Sequence, residues 1–192
     1  MASRPEAFSV ERNPNPRNDH DRAAVLAAPG FGKFFTDHMV RIDFADGAWG
    51  PGRVVPYGPL SFDPATTVFH YGQEIFEGLK AYRQPDGSVA TFRPEANARR
   101  FANSARRLGM AKLPEELFVE SLRALVAVDR DWVPSAPDES LYLRPFMIAA
   151  QVGLGVNSPS NSYSYLTIAS PAGPYVSGGI HPRCCSGCVS QL

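Results

Sequence analysis

The stretch from residue 70 to residue 100, HYGQEIFEGLKAYRQPDGSVATFRPEANARR, constrains the fold more than any other part of the chain. Leu79 to Arg83 and Ser88 to Phe92 are short runs rich in apolar and strand-forming residues. Between them lies Gln84-Pro85-Asp86-Gly87, in which Pro presets φ and Gly accepts a positive φ, so the two runs read as a β-hairpin. Pro94 and Glu95 then suit a first helical turn, one because its missing N–H is not needed there, the other because its charge meets the positive end of the helix dipole. Ala98, Phe101, Ala105 and Leu108 recur at helical spacing, and Gly109 fits a stop. Arg99 and Arg100 fall inside this helix. A guanidinium there could clamp a phosphate or carboxylate. Spacing alone favours the plainer alternative, two solvated arginines on a helix face.

The remaining pattern is mixed. Residues 1–30 carry Pro, Asn and charge without periodicity and are expected as a loosely attached polar arm. Met39 to Phe44 alternates, with Val40, Ile42 and Phe44 on one side and Arg41 and Asp43 on the other, which predicts a half-buried strand. Leu60 to Tyr71 reads as extended. A second helix is expected from Pro114 to about Val128, with Leu117, Phe118, Leu122, Leu125 and Val126 as its apolar face. Leu141 to Ala150 reads as a strand in which Pro145 implies an edge position or a local break. Tyr163 to Ala169 reads as the last strand. Irregularly mixed elements predict an α+β domain, a mostly antiparallel sheet packed with helices.

A chain of 192 residues is long enough for one domain with a real core. Zero formal net charge gives no electrostatic case for nucleic acid or an anionic membrane. No apolar run approaches the ~20 residues needed to span a bilayer. The polar N-terminus lacks a signal core, and a cytoplasmic protein is the expectation. Arginine, at 16, heavily outnumbers lysine, at 3.

Four separated segments, HYGQEIFEGLKAYR, FRPEANARRF, LYLRPFMIA and SPAGPY, follow one another between about Phe31 and Ile180. Together they resemble the small N-terminal domain of branched-chain amino acid aminotransferases, fold-type IV enzymes that use pyridoxal phosphate. The resemblance implies a small domain over residues 31–170, an interdomain connector over 171–180, and a homodimer. It implies amino-group exchange between Leu, Ile or Val and 2-oxoglutarate. D-amino acid transaminases and aminodeoxychorismate lyase, also fold-type IV, are the alternatives within that fold; LYLRP and SPAGPY favour the branched-chain class. An alternative of another kind is a non-catalytic small domain that binds full-length subunits.

Such chemistry needs an amine, an acid beside the pyridine nitrogen, a phosphate clamp and a substrate pocket. By resemblance, Arg100 binds the cofactor phosphate, and Arg99 does not. Phe31, Tyr71, Phe76, Tyr142 and Val156 match the walls of the substrate pocket. Arg144 matches an arginine that recognises a carboxylate near the partner subunit's site, and Tyr175 a residue near the substrate. Tyr71 and Val156 look like contributions across a dimer interface. For Phe76 and Val156 the alternative is ordinary core packing. Tyr71 and Tyr142 each carry a hydroxyl that must find a partner.

The resemblance stops after Ile180. Residues 181–192 read as a non-native tail, either disordered or translated out of frame after a frameshift, the second being favoured. On that expectation the large domain and the Schiff-base lysine are absent. Lys33, Lys80 and Lys112 all fall in the small domain, and none is assigned to catalysis. His20, His38 and His70 do not cluster and read as structural. His181, Cys184, Cys185 and Cys188 form at most a half-motif for metal or redox chemistry, and no metal is expected.

Overall fold

The computed structural model describes residues 8–174. Its strands are β1 (Ser9–Val10), β2 (His38–Ala45), β3 (Ala48–Trp49), β4 (Arg53–Pro56), β5 (Glu74–Phe76), β6 (Leu79–Arg83), β7 (Val89–Thr91), β8 (Ser140–Ala149) and β9 (Tyr163–Ala172). The helices are α1 (Asp19–Ala27), α2 (Thr67–Tyr71), α3 (Pro94–Arg107) and α4 (Glu115–Val128). The strands form one sheet in the order β1-β4-β2-β9-β8-β6-β7, with β3 on β2 and β5 on β8. Every pairing is antiparallel except β1 on β4. The α+β expectation therefore holds.

The hairpin forms as its turn chemistry dictates, with Gly87 at φ 81° and Ala81, Tyr82 and Arg83 opposite Thr91, Ala90 and Val89. Helix α3 begins with Pro94 at its first position and stops before Gly109, whose φ is 65°. Ala98, Phe101 and Ala105 are buried, but Leu108, expected on the same face, is exposed because it caps the helix end. On α4, Phe118, Leu122 and Leu125 are buried, and Leu117 and Val126 pack at the margin. The core centres on Phe101, Phe118 and Tyr165, whose rings lie 5.3 to 6.1 Å apart and tie both helices to β9. The buried Tyr165 hydroxyl meets Ser121 Oγ at 2.8 Å and accepts from Thr167 Oγ1 at 3.0 Å. Burial pushes its pKa up despite those bonds.

Three expectations change. The segment ending at Tyr71 is not extended throughout. Asp63 takes the Ala65 N–H on its side chain and the Thr66 N–H on its carbonyl, which starts a turn, and α2 follows until Gly72 ends it at φ 59°. Residues 8–30 are not a loose arm. Ser9 and Glu11 donate to the carbonyls of Gly52 and Val54, Asn18 caps α1, and Val25 is buried. Strand β9 runs to Ala172, two residues into the expected connector.

Pro145 is not on an edge. Strand β8 pairs with β9 along all ten residues, and on its other side with β6 through residues 141–143 and with β5 through residues 146–148. The Pro145 carbonyl accepts from Glu77 N at 2.8 Å, so its missing N–H faces the gap between β5 and β6, where no ladder bond is lost. The local break lies in the neighbouring ladder.

A buried pair locks the N-terminal segment down. His38 Nδ1 meets Asp129 Oδ1 at 2.6 Å, and His38 N donates to Asp129 Oδ2 at 3.0 Å. Because Asn13 N donates to His38 Nε2 at 2.9 Å, the ring proton sits on Nδ1. Trp132 Nε1 and Arg17 N both donate to the Asp37 carboxylate beside it. The structural reading of His38 holds. Asp129→Ala strands the buried His38 N and Nδ1 donors, so it should cost about 3 kcal/mol in urea unfolding. It should also speed amide exchange at Asn13 more than at Val40 in β2.

Candidate functional site

Alternation along β8 separates core from site. Leu141, Leu143 and Met147 are fully buried beneath the sheet, whereas Tyr142, Arg144 and Phe146 are half-buried on the opposite face. Ile168 stands opposite Arg144 and Ser170 opposite Tyr142 on β9, while Phe76 stands opposite Phe146 on β5. The outer face of three adjacent strands thus carries the site.

Four residues singled out in the sequence meet there. Arg144 Nε and Nη2 donate to the Tyr142 hydroxyl at 3.1 and 2.6 Å. The guanidinium lies 4.5 Å over the Phe76 ring and 5.3 Å from the Tyr142 ring. Phe31, from the loop after α1, places its ring 5.1 Å from Tyr142. Phe31, Phe35, Tyr142, Arg144, Ile168 and Ser170 line a cavity of about 200 Å³. Gly78 lets Tyr142 lie close to the β5–β6 connection, because a Cβ there would collide with the tyrosine hydroxyl.

Tyr71 and Val156 lie elsewhere. The Tyr71 hydroxyl donates to Leu154 O at 2.6 Å, tying α2 to the loop after β8. The Thr66–Val152 bridge and the Gly153 N–H to Ala65 carbonyl bond hold the same two segments together. Phe76 is 60% exposed and Val156 71%, so ordinary core packing explains neither. Phe69, Tyr71, Val152 and Leu154 are also exposed. Tyr175 and the His181–Cys188 cluster lie outside the described residues. Among the described residues no group of three His, Cys, Asp or Glu could hold a metal.

Arg100 has a partner that the sequence did not announce. Its Nε donates to Glu77 Oε1 at 3.0 Å and its Nη2 to Oε2 at 2.7 Å. Asn97, one turn earlier on α3, donates to Glu77 Oε2 at 2.8 Å and to Gly78 O at 3.3 Å. Burial pushes the Glu77 carboxyl up, but the bonds from Arg100 and Asn97, with the Arg100 charge and the Gly78 N–H, outweigh it and hold the pKa below the ordinary value. The same bonds raise that of Arg100. Arg99 makes no such pair and lines a shallow groove with Glu95, Glu116 and Arg123. Phe76 and Glu77 are adjacent, so one peptide joins the aromatic face to the Arg100 cluster. The i, i+3 spacing of Asn97 and Arg100 was the available signal for Glu77, but it names no partner twenty residues upstream.

These features coincide with relatives of known type. No family model matches the chain. It is 61% identical over 184 residues to the branched-chain-amino-acid aminotransferase of Mycolicibacterium smegmatis, covering 95% of this chain and 50% of that protein. It is 49% identical over 147 residues to branched-chain-amino-acid transaminase 1 of Bacillus subtilis, covering 76% of this chain and 41% of that protein. The chain is a homologue of the branched-chain-amino-acid aminotransferases. It spans about half the length of the curated relatives it matches. Its fold matches a T.th. branched-chain amino acid aminotransferase with pyridoxamine 5'-phosphate at TM-score 0.54 and 28% identity, over 71% of this chain and 41% of that one. The Escherichia coli enzyme shares the fold at TM-score 0.51 and 22% identity, over 70% and 40%. This homologue thus has the fold-type IV small-domain architecture expected of it.

Glu77 gives this homologue an acid-side signature. A carboxyl with a lowered folded pKa adds stability that is present above its unfolded value, near 4.5, and is lost as pH falls through the folded value. Glu77→Gln should therefore flatten the loss of stability below pH ~4.5, seen as a smaller shift in urea midpoint between pH 6 and pH 3. An unchanged acid limb would show that Glu77 does not titrate through this pair.

Proposed function

We propose that the chain supplies the substrate-recognition face and the cofactor-phosphate arginine of a pyridoxal-phosphate-dependent transaminase. It would exchange an amino group between branched-chain amino acids and 2-oxoglutarate. The observation that carries this reading is the meeting of Phe31, Phe76, Tyr142 and Arg144 on one open sheet face, joined through the Phe76–Glu77 peptide to Arg100. The cofactor, when bound, supplies the electron sink for proton removal at the amino-acid α-carbon. The residues present fit its phosphate. Glu77 engages only one edge of the Arg100 guanidinium, and the Arg100 side chain is 65% exposed.

In this reading Phe31, Phe76 and Tyr142 wall a branched aliphatic side chain and keep water from it. Arg144, already oriented by the Tyr142 hydroxyl, pairs with a substrate carboxylate, and its position over Phe76 puts that charge beside the apolar wall. Tyr71 and Val156 serve the site of a partner subunit in a homodimer, and Tyr175 keeps the role that the resemblance implies, a residue near the substrate. None of Lys33, Lys80 and Lys112 is assigned as the Schiff-base amine; that amine belongs to the half of the relatives that this chain does not span. A cytoplasmic location belongs to the same proposal.

A second reading is favoured by one observation. Phe69, Tyr71, Val152, Leu154 and Val156 expose apolar side chains on the joined α2 and 152–156 segments. That surface suits a non-catalytic small domain seated on full-length subunits. Co-purification with an intact aminotransferase, unaccompanied by any gain in turnover, would favour it.

Two outcomes test the first reading. Purified alone, the chain should form no glutamate from leucine and 2-oxoglutarate, and turnover by it alone would remove the assignment of the amine to another segment. In an assembly that transaminates, Arg144→Ala should raise the apparent KM for 2-oxoglutarate about tenfold or more, with a smaller effect on aliphatic substrates. Equal effects on both would remove the carboxylate role.

A further inference from the structure

We propose that Glu77 is a positioning residue that turns Arg100 toward a phosphate dianion, occupying one edge of the guanidinium and leaving the other edge aimed outward. The inference rests on the reading of Arg100 as a phosphate ligand. A guanidinium carries five N–H donors in a rigid planar fork. Glu77 takes the side edge, with Nε on Oε1 at 3.0 Å and Nη2 on Oε2 at 2.7 Å. Three donors remain, two on Nη1 and one on Nη2. They lie in the same plane and point away from the carboxylate. The Glu77 side chain is 10% exposed and that of Arg100 65%, so the carboxylate is the inner member and the free edge the outer one.

The carboxylate is itself fixed from two directions. Its backbone N–H donates to Pro145 O on β8, and Asn97 on α3 holds Oε2. Arg100 stems from α3, so helix and sheet meet through one carboxylate. A free arginine of this exposure would sample many rotamers, and binding a phosphate would have to freeze them. Here the ordering is done beforehand. Removing Glu77 also leaves the arginine charge uncompensated, which by itself attracts an anion more strongly. That opposing effect is small where solvent screens the group, so orientation dominates.

The probes are pyridoxine 5'-phosphate and pyridoxine, which differ by the phosphate and carry no aldehyde to react with lysines. Titrations of the 192-residue chain follow the arginine side-chain ¹H–¹⁵N resonances. In the parent chain the Arg100 Nε–H signal should already be exchange-protected without ligand. Pyridoxine 5'-phosphate should perturb the Arg100 Nη signals and leave Nε in place. Glu77→Gln should abolish the Nε protection and weaken the phosphate-dependent part of binding about tenfold, with Glu77→Asp restoring part of it. Asn97→Ala, which frees Glu77 without removing the ion pair, should weaken it less and serves if the Glu77 variants do not fold. Binding that is unchanged or tighter in Glu77→Gln, while Arg100→Ala abolishes it, would overturn the positioning role alone. An Arg100→Ala chain that still prefers the phosphorylated probe would overturn both the phosphate reading and this inference.

Discussion

Strand β8 is hydrogen-bonded on both sides, and the rest of the molecule depends on that. One flank is a continuous ladder to β9; the other is shared by β6 and β5 with a gap between them. Pairing on both flanks fixes which way each side chain points, because a one-residue slip would exchange the two faces. On the buried face Leu141, Leu143 and Met147 belong to the same core cluster as the apolar residues of α3 and α4. The opposite face can then carry a guanidinium and aromatic rings without giving up core.

The gap in the second ladder is where chemistry enters. Pro145 has no N–H to offer, and no strand asks for one there. The chain between β5 and β6 passes at that point and presents Phe76 to one side of the sheet and Glu77 to the other. Glu77 then reaches α3. The aromatic face and the region that holds Arg100 are therefore coupled by covalent adjacency and not by a long pathway. Among the described residues the Tyr71–Leu154 corner has no such link to them.

Much of this was legible in the sequence where local rules act alone. The QPDG turn, Pro94 at a helix start, Gly109 at its end and the 3.6-residue period of α4 each gave the correct element, because each depends on residues within one or two turns. Alternation gave the buried face of β2. The reading failed where another segment decides the outcome. Residues 8–30 look patternless because only Phe8, Val25 and Pro29 reach into the core, at no regular spacing, and the segment is ordered by backbone bonds to β4 and by polar contacts with His38 and Asp37. Thr67–Tyr71 looked extended because a five-residue helix shows no period.

For the site, resemblance supplied Phe31, Phe76, Tyr142 and Arg144, and the two-residue spacing of Tyr142 and Arg144 already put them on one face. What those residues touch was not legible. His38 and Asp129 are 91 positions apart, and Glu77 and Arg100 are 23 apart with a hairpin between them. The hairpin, the two long helices and the alternating faces follow from local rules, since backbone geometry and neighbouring side chains are enough to set them. The strand order, the fate of Pro145 and the partner of Arg100 emerge only in the folded chain. Those depend on which distant segments close loops onto one another, and no local period encodes that.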